Sequence, residues 1–219
     1  MKTTSDLITA CISSLGLLGA TKVSPRVVER VCQEYARSNA RVYHDTEHIL
    51  HVASWIEGKT TLYPNPRVLP STLMLATLYH DVVYQIGSLE NEELSAERAA
   101  TELASMGVGS QYIARIVSDI MDTRHQGEPE TIEGRYMVDA DLSSLALPIE
   151  GFWENTNQLW QESGKPADVF AKGNSGFLKS LLARPRIYYS PCMDVEEKIA
   201  RANIAEITRR LDEGLLGVE

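Results

Sequence analysis

The stretch Leu73-Met74-Leu75-Ala76-Thr77-Leu78-Tyr79-His80-Asp81-Val82-Val83-Tyr84 decides the reading of the fold. Wound as a helix from Ser71 to Tyr84, it carries apolar side chains on every side. A helix that is apolar all round belongs in a core. Near its end stand His80 and Asp81. An adjacent imidazole and carboxylate inside an apolar helix are costly unless they pair or bind a metal. A buried hydrogen-bonded pair is the plain alternative.

Outward from this segment, helical spacing dominates. Asp6–Leu18 and Pro25–Ser38 repeat apolar residues at helical intervals, and Ser24-Pro25 supplies a cap and first-turn pair. Thr46–Ile56 reads as a helix ending near Gly58, and Leu62–Pro70, with its three prolines, as a loop. Glu90–Met106 is expected to stop at Gly107, and Gln111–Arg124 to show one apolar face. Further helices are expected at Tyr136–Ala146, Ile149–Glu162, Asp168–Ala183 and Asp194–Leu211, the last opened by an Asp194/Glu197 capping box. Only Ile187-Tyr188-Tyr189 looks extended. The reading is all-α: one domain over 1–219, a helical bundle of about nine or ten helices.

Composition agrees. The chain has 219 residues, 43% hydrophobic and 23% charged, enough for a sizeable core without disulfides. The apolar run from Leu7 to Ala20 is broken by Thr9, Ser13 and Ser14, so it suits an amphipathic helix better than a signal peptide. No run reaches the roughly 20 apolar residues of a membrane span. A net charge of −9 argues against a nucleic-acid polymer as partner. Cys11, Cys32 and Cys192 are odd in number and far apart, which suits a reducing, cytoplasmic setting. The chain lacks a GxSxG elbow, a GxxxxGK[ST] loop and a GxGxxG loop.

The chemistry concentrates elsewhere. All five histidines lie between His44 and His125. His44, His48 and His51 share a helical face if their helix begins early enough. A third feature is Asp139-Ala140-Asp141-Leu142, which alone would suit a helix cap or a solvated acidic turn. Together, a histidine, a His-Asp pair and a later aspartate make a mixed nitrogen and oxygen donor set. It suits a divalent ion such as Mn, Fe, Mg, Zn, Co or Ni, with no thiolate to demand zinc.

This H…HD…D order resembles the HD superfamily of metal-dependent phosphohydrolases. The matching segments are Tyr43–Ile49, His80–Tyr84, Asn91–Ala96, Asp139–Leu142, Arg184–Pro191 and Ala200–Asn203, within a core of about residues 35–211. The resemblance implies a helical core holding a metal through His48, His80, Asp81 and Asp141, with Asp139 the alternative to Asp141. It implies catalytic work for Asp81, Glu92 and His44, and substrate contacts from Glu93, Arg124, His125 and Arg184. His125 is also a candidate for a second metal. Around Thr123-Arg124-His125-Gln126 and Phe152–Trp160 the chain departs from the family pattern.

The expected activity is hydrolysis of a phosphate ester, of a nucleotide or another small phosphorylated metabolite. The rivals are a di-iron oxygenase on the same scaffold and a metal-stabilised nucleotide-binding module. Tyr188 and Tyr189 are candidates to stack a base, with packing the blander role. The terminal helices would serve equally for covering the core or for a homodimer seam.

Overall fold

The structure is a computed structural model that describes residues 3–36, 41–60, 68–191 and 193–217. The described residues are all-helical: α1 (Thr4–Leu17), α2 (Pro25–Glu34), α3 (Thr46–Thr60), α4 (Val68–Tyr79), α5 (Asn91–Ser105), α6 (Ser110–Asp122), α7 (Ile132–Asp141), α8 (Ile149–Ser163), α9 (Ala167–Leu182) and α10 (Asp194–Asp212). A short 3-10 turn covers Leu142–Ala146. No strand occurs among them. None of these helices is long and apolar enough to cross a membrane. They divide into two compact units, Met1–Asp141 and Leu142–Glu219.

In the first unit α4 is the axis, packed by α1, α3, α5, α6 and α7. Leu73, Leu75, Ala76, Leu78 and Tyr79 are fully buried, as an all-apolar helix requires. Each such leucine contributes about 2 kcal/mol by leaving water. Pro70, expected in a loop, lies in the first turn of α4. Proline is tolerated there because its missing N–H would have no partner within the helix. Val68 and Leu69 of the expected loop also belong to α4, and its residues 62–67 lie outside the described residues.

Other ends follow local chemistry. Gly107 stops α5 with φ +77°, and its N–H bonds to Ala104 while Val108 N–H bonds to Leu103, a Schellman closure. α2 ends at Glu34, short of the expected Ser38, and Ser24 makes no side-chain cap. α3 continues through Gly58 to Thr60. Cys11 and Cys32 are free and buried. Burial raises the Cys11 thiol well above its usual range and pushes Cys32 up to about 11, so neither suits a nucleophile. Cys192 lies outside the described residues.

In the second unit α10 packs on α8, α9 and the 3-10 turn. The Asp194/Glu197 capping box does not form: Met193 is the N-cap and makes no side-chain bond. Glu197 instead accepts the N–H groups of Ile187 and Tyr188 and pairs with Arg201. Those two N–H groups have no strand to pair with, so the carboxylate serves them.

Candidate metal centre

The two histidines arrive by different local devices. Asp45 precedes α3 and accepts the N–H groups of Glu47 and His48 through Oδ1, at 2.8 and 3.4 Å. This is an aspartate N-cap, and it fixes His48 in the first turn. His44 therefore lies outside the helix and shares no helical face with His48. Its ring still stands 5.6 Å from that of His48 and stacks on Tyr84 at 4.5 Å. His51 is half-buried. Burial and then His48 lower its pKa.

His80 closes the last turn of α4, its N–H on the Ala76 carbonyl. Its Nδ1 is 2.9 Å from the Thr77 carbonyl. A carbonyl can only accept, so Nδ1 carries the proton. In the neutral ring Nε2 then carries the lone pair, as in a metal-bound histidine braced through its other nitrogen. Asp81 follows in the turn after α4. Asp141 is the last residue of α7.

Four side chains meet here. His48 Nε2 lies 3.2 Å from His80 Nε2 and 3.2 Å from Asp141 Oδ1. Asp81 Oδ2 is 3.1 Å from His80 Nε2 and 3.6 Å from His48 Nε2. Asp141 Oδ1 is 3.7 Å from His80 Nε2. Donors about 2.1 Å from one ion stand about 3.0 Å apart in an octahedron and about 3.4 Å apart in a tetrahedron. The spacings among His48, His80 and Asp141, 3.2 to 3.7 Å, are close to the edges of such a polyhedron. His48, His80 and Asp141 each offer an atom within 4.8 Å of the others. Among the described residues this is the group that can hold a metal ion.

Electrostatics favour a cation. Burial opposes charge on Asp81, but His80, His44 and His48 hold its carboxyl well below the usual range. Asp141 is likewise held low against burial, by hydrogen bonds from His125, His48 and His80. Burial alone would lower the pKa of His80, yet Asp81 and Asp141 raise it well above its ordinary value. Two carboxylate charges thus draw a proton onto a fully buried ring. A divalent ion would balance the same two charges and leave the imidazoles neutral.

Of the two aspartates considered for the last position, Asp141 meets the histidines. Asp139 is fully buried in α7. His125 bonds to the outer oxygen of Asp141, Nε2 to Oδ2 at 3.0 Å. Glu92 is half-buried and Glu93 exposed on the first turn of α5. Neither is among the atoms that converge on the cluster. Arg124 donates from Nη2 to the Leu89 carbonyl. Arg184 belongs to the second unit, where Nη1 donates to Tyr189 Oη. Tyr188 is fully buried with its hydroxyl on the Leu142 carbonyl, so its role is packing.

Sequence reasoning missed the groups that hold the backbone of the site. Arg41 donates to the carbonyls of His44, Asp81 and Val82, each at 2.9 Å. Tyr35 Oη accepts the Asp81 N–H and donates to Leu78. Asn91 pairs with both backbone groups of Gln85, and Ser95 Oγ does the same for Val83. In Asn91–Ala96, then, the asparagine and serine brace the loop after Asp81. A tyrosine six residues before an arginine carries no sequence signal for this task.

Compared with known proteins, the chain matches no family model, no curated protein and no solved structure.

Proposed function

We propose that the chain is a metal-dependent phosphohydrolase of the HD type, acting on a nucleotide or another small phosphorylated metabolite. The observation that carries this reading is the approach of His48 Nε2, His80 Nε2 and Asp141 Oδ1 to within 3.7 Å of one another, with Asp81 Oδ2 at 3.1 and 3.6 Å from the two histidines. These four residues would hold the ion. Bound there, it would lower the pKa of a coordinated water and polarise a phosphoryl oxygen. Four protein ligands would leave further positions open for water and substrate.

The chain's own residues divide the remaining work. Asp81 accepts a hydrogen bond from the attacking water. Glu92, half-buried at the start of α5, takes the water proton as general base. His44, stacked on Tyr84 beside His48, orients the phosphate ester. Arg124 spends one N–H on Leu89 and keeps others for a phosphate oxygen. Glu93 completes the proposed substrate contacts.

The test is product formation from a panel of nucleoside mono-, di- and triphosphates, sugar phosphates and a generic phosphomonoester, with Mn²⁺ supplied. Turnover that disappears in Asp81→Ala supports the reading. Silence across the panel with iron bound would favour an oxygenase, and tight nucleotide binding without turnover a regulatory module.

A further inference from the structure

His125 stands apart from every other described residue in its backbone. Its φ is +56°, the only positive value outside glycine among the described residues. Left-handed backbone crowds the Cβ of an L-residue, and where it persists the surrounding structure enforces it. Three residues after α6 ends, the chain turns through this conformation, and the imidazole reaches Asp141. Nε2 sits 3.0 Å from Oδ2, while Oδ1 of the same carboxylate faces His48 at 3.2 Å. A carboxylate only accepts, so Nε2 donates. One oxygen of Asp141 is thereby fastened and the other left directed at the histidine pair.

Resting on the metal-centre reading above, we infer that His125 is a positioning residue: its imidazole fixes the rotation of the Asp141 carboxylate, and its left-handed backbone is the conformation that brings the ring there. Asp141 occupies the end of α7, where the helix no longer restrains its neighbours on the C-terminal side. Freed of His125, its carboxylate rotates about the Cβ–Cγ bond and presents either oxygen. This role differs from a phosphate contact and from a ligand of a second ion. Each alternative predicts a different response to the same variants.

Two variants separate ring from backbone. His125→Gly accepts φ +56° without strain but removes the donor. His125→Gln restores an N–H donor of similar reach. Mn²⁺ affinity and stoichiometry are measured by chelator competition, and the visible spectrum is recorded after loading with Co²⁺. The melting temperature of the metal-free protein is followed alongside. Loss of a group that orients a metal ligand weakens affinity about 10- to 100-fold. His125→Gly is therefore expected to bind Mn²⁺ at least about tenfold more weakly, at unchanged stoichiometry. Its Co²⁺ spectrum should shift, with melting within a few degrees of the parent. His125→Gln should recover most of the affinity.

Affinity within twofold of the parent in His125→Gly would overturn the inference. So would a fall in stoichiometry from two ions to one, which would make His125 a ligand. A parent chain that binds no Mn²⁺ or Co²⁺ would overturn the metal-centre reading itself, and this inference with it.

Discussion

Arg41 Nη2 donates to the carbonyl oxygen of Asp81 at 2.9 Å, so a buried guanidinium grips the backbone of a proposed ligand. Nη1 of the same residue holds the carbonyl of His44. The fork thus ties the segment entering α3, which delivers His48, to the turn leaving α4, which delivers His80 and Asp81. The charge lies against the rings of Tyr35 and Tyr84, at 4.9 and 5.5 Å from their centroids. Such contacts stabilise a desolvated cation.

Arg41→Ala strands these buried carbonyls and is expected to cost about 3 kcal/mol of stability. Arg41→Lys keeps the charge but loses the planar fork, so it should recover only part of that. Urea denaturation of both variants measures the loss. Metal affinity should fall in parallel, because the two ligand segments lose their common tie.

Asp119 is fully buried in α6, and neither carboxylate oxygen has a hydrogen-bond partner. Burial, and then Asp122, raise its pKa well above the usual range, with Arg115 opposing. A carboxyl raised in the folded state imposes no penalty below its unfolded value of about 3.9. The penalty grows as pH rises from there toward the folded pKa. Asp119→Asn should therefore be more stable than the parent by about 1 to 2 kcal/mol near pH 8. The gain should shrink steadily toward about pH 5. Thermal melts across this range check it; a gain independent of pH would show that charge is not the cause.

Glu197 accepts two backbone N–H groups and pairs with Arg201, which itself donates to the carbonyls of Leu182 and Arg184. Glu197→Ala should destabilise the second unit by about 3 kcal/mol. Proteolysis near Arg184–Ser190 should become faster. Glu197→Gln keeps an acceptor for one N–H and should fall between.

Much of this was legible in the chain. α4 announced itself because its apolar residues leave no polar face, and the histidine and aspartate residues announced themselves by chemical type. Exact placement was not legible, for two physical reasons. Caps depend on which backbone groups need a partner: Glu197 looked like the third residue of a capping box, but Ile187 and Tyr188 claim it. The positioning groups act on the main chain: Arg41 and Tyr35 reach carbonyls and N–H groups some 40 residues away. No periodicity encodes such a contact. The left-handed turn at His125 is equally silent, since the sequence there offers no glycine at that position to mark it.

His80→Ala removes a ring that is fully buried and braced on Thr77. In the metal-free state it should cost stability, because it leaves a cavity and removes the ring that faces both Asp81 and Asp141. Saturating Mn²⁺ should raise the melting temperature of the parent, since a ligand bound only by the folded state stabilises it. At about a hundredfold excess over the dissociation constant the gain is about 2.7 kcal/mol. His80→Ala should show no such rise.

The most direct test is the metal content of the purified chain after equilibration with excess Mn²⁺ and removal of the free ion, beside Asp141→Ala treated identically. About one ion per parent chain is expected. Asp141→Ala, still helical by circular dichroism, should retain little or none. A parent that retains no Mn²⁺, or an Asp141→Ala variant that retains as much, would show that these residues do not form a metal site.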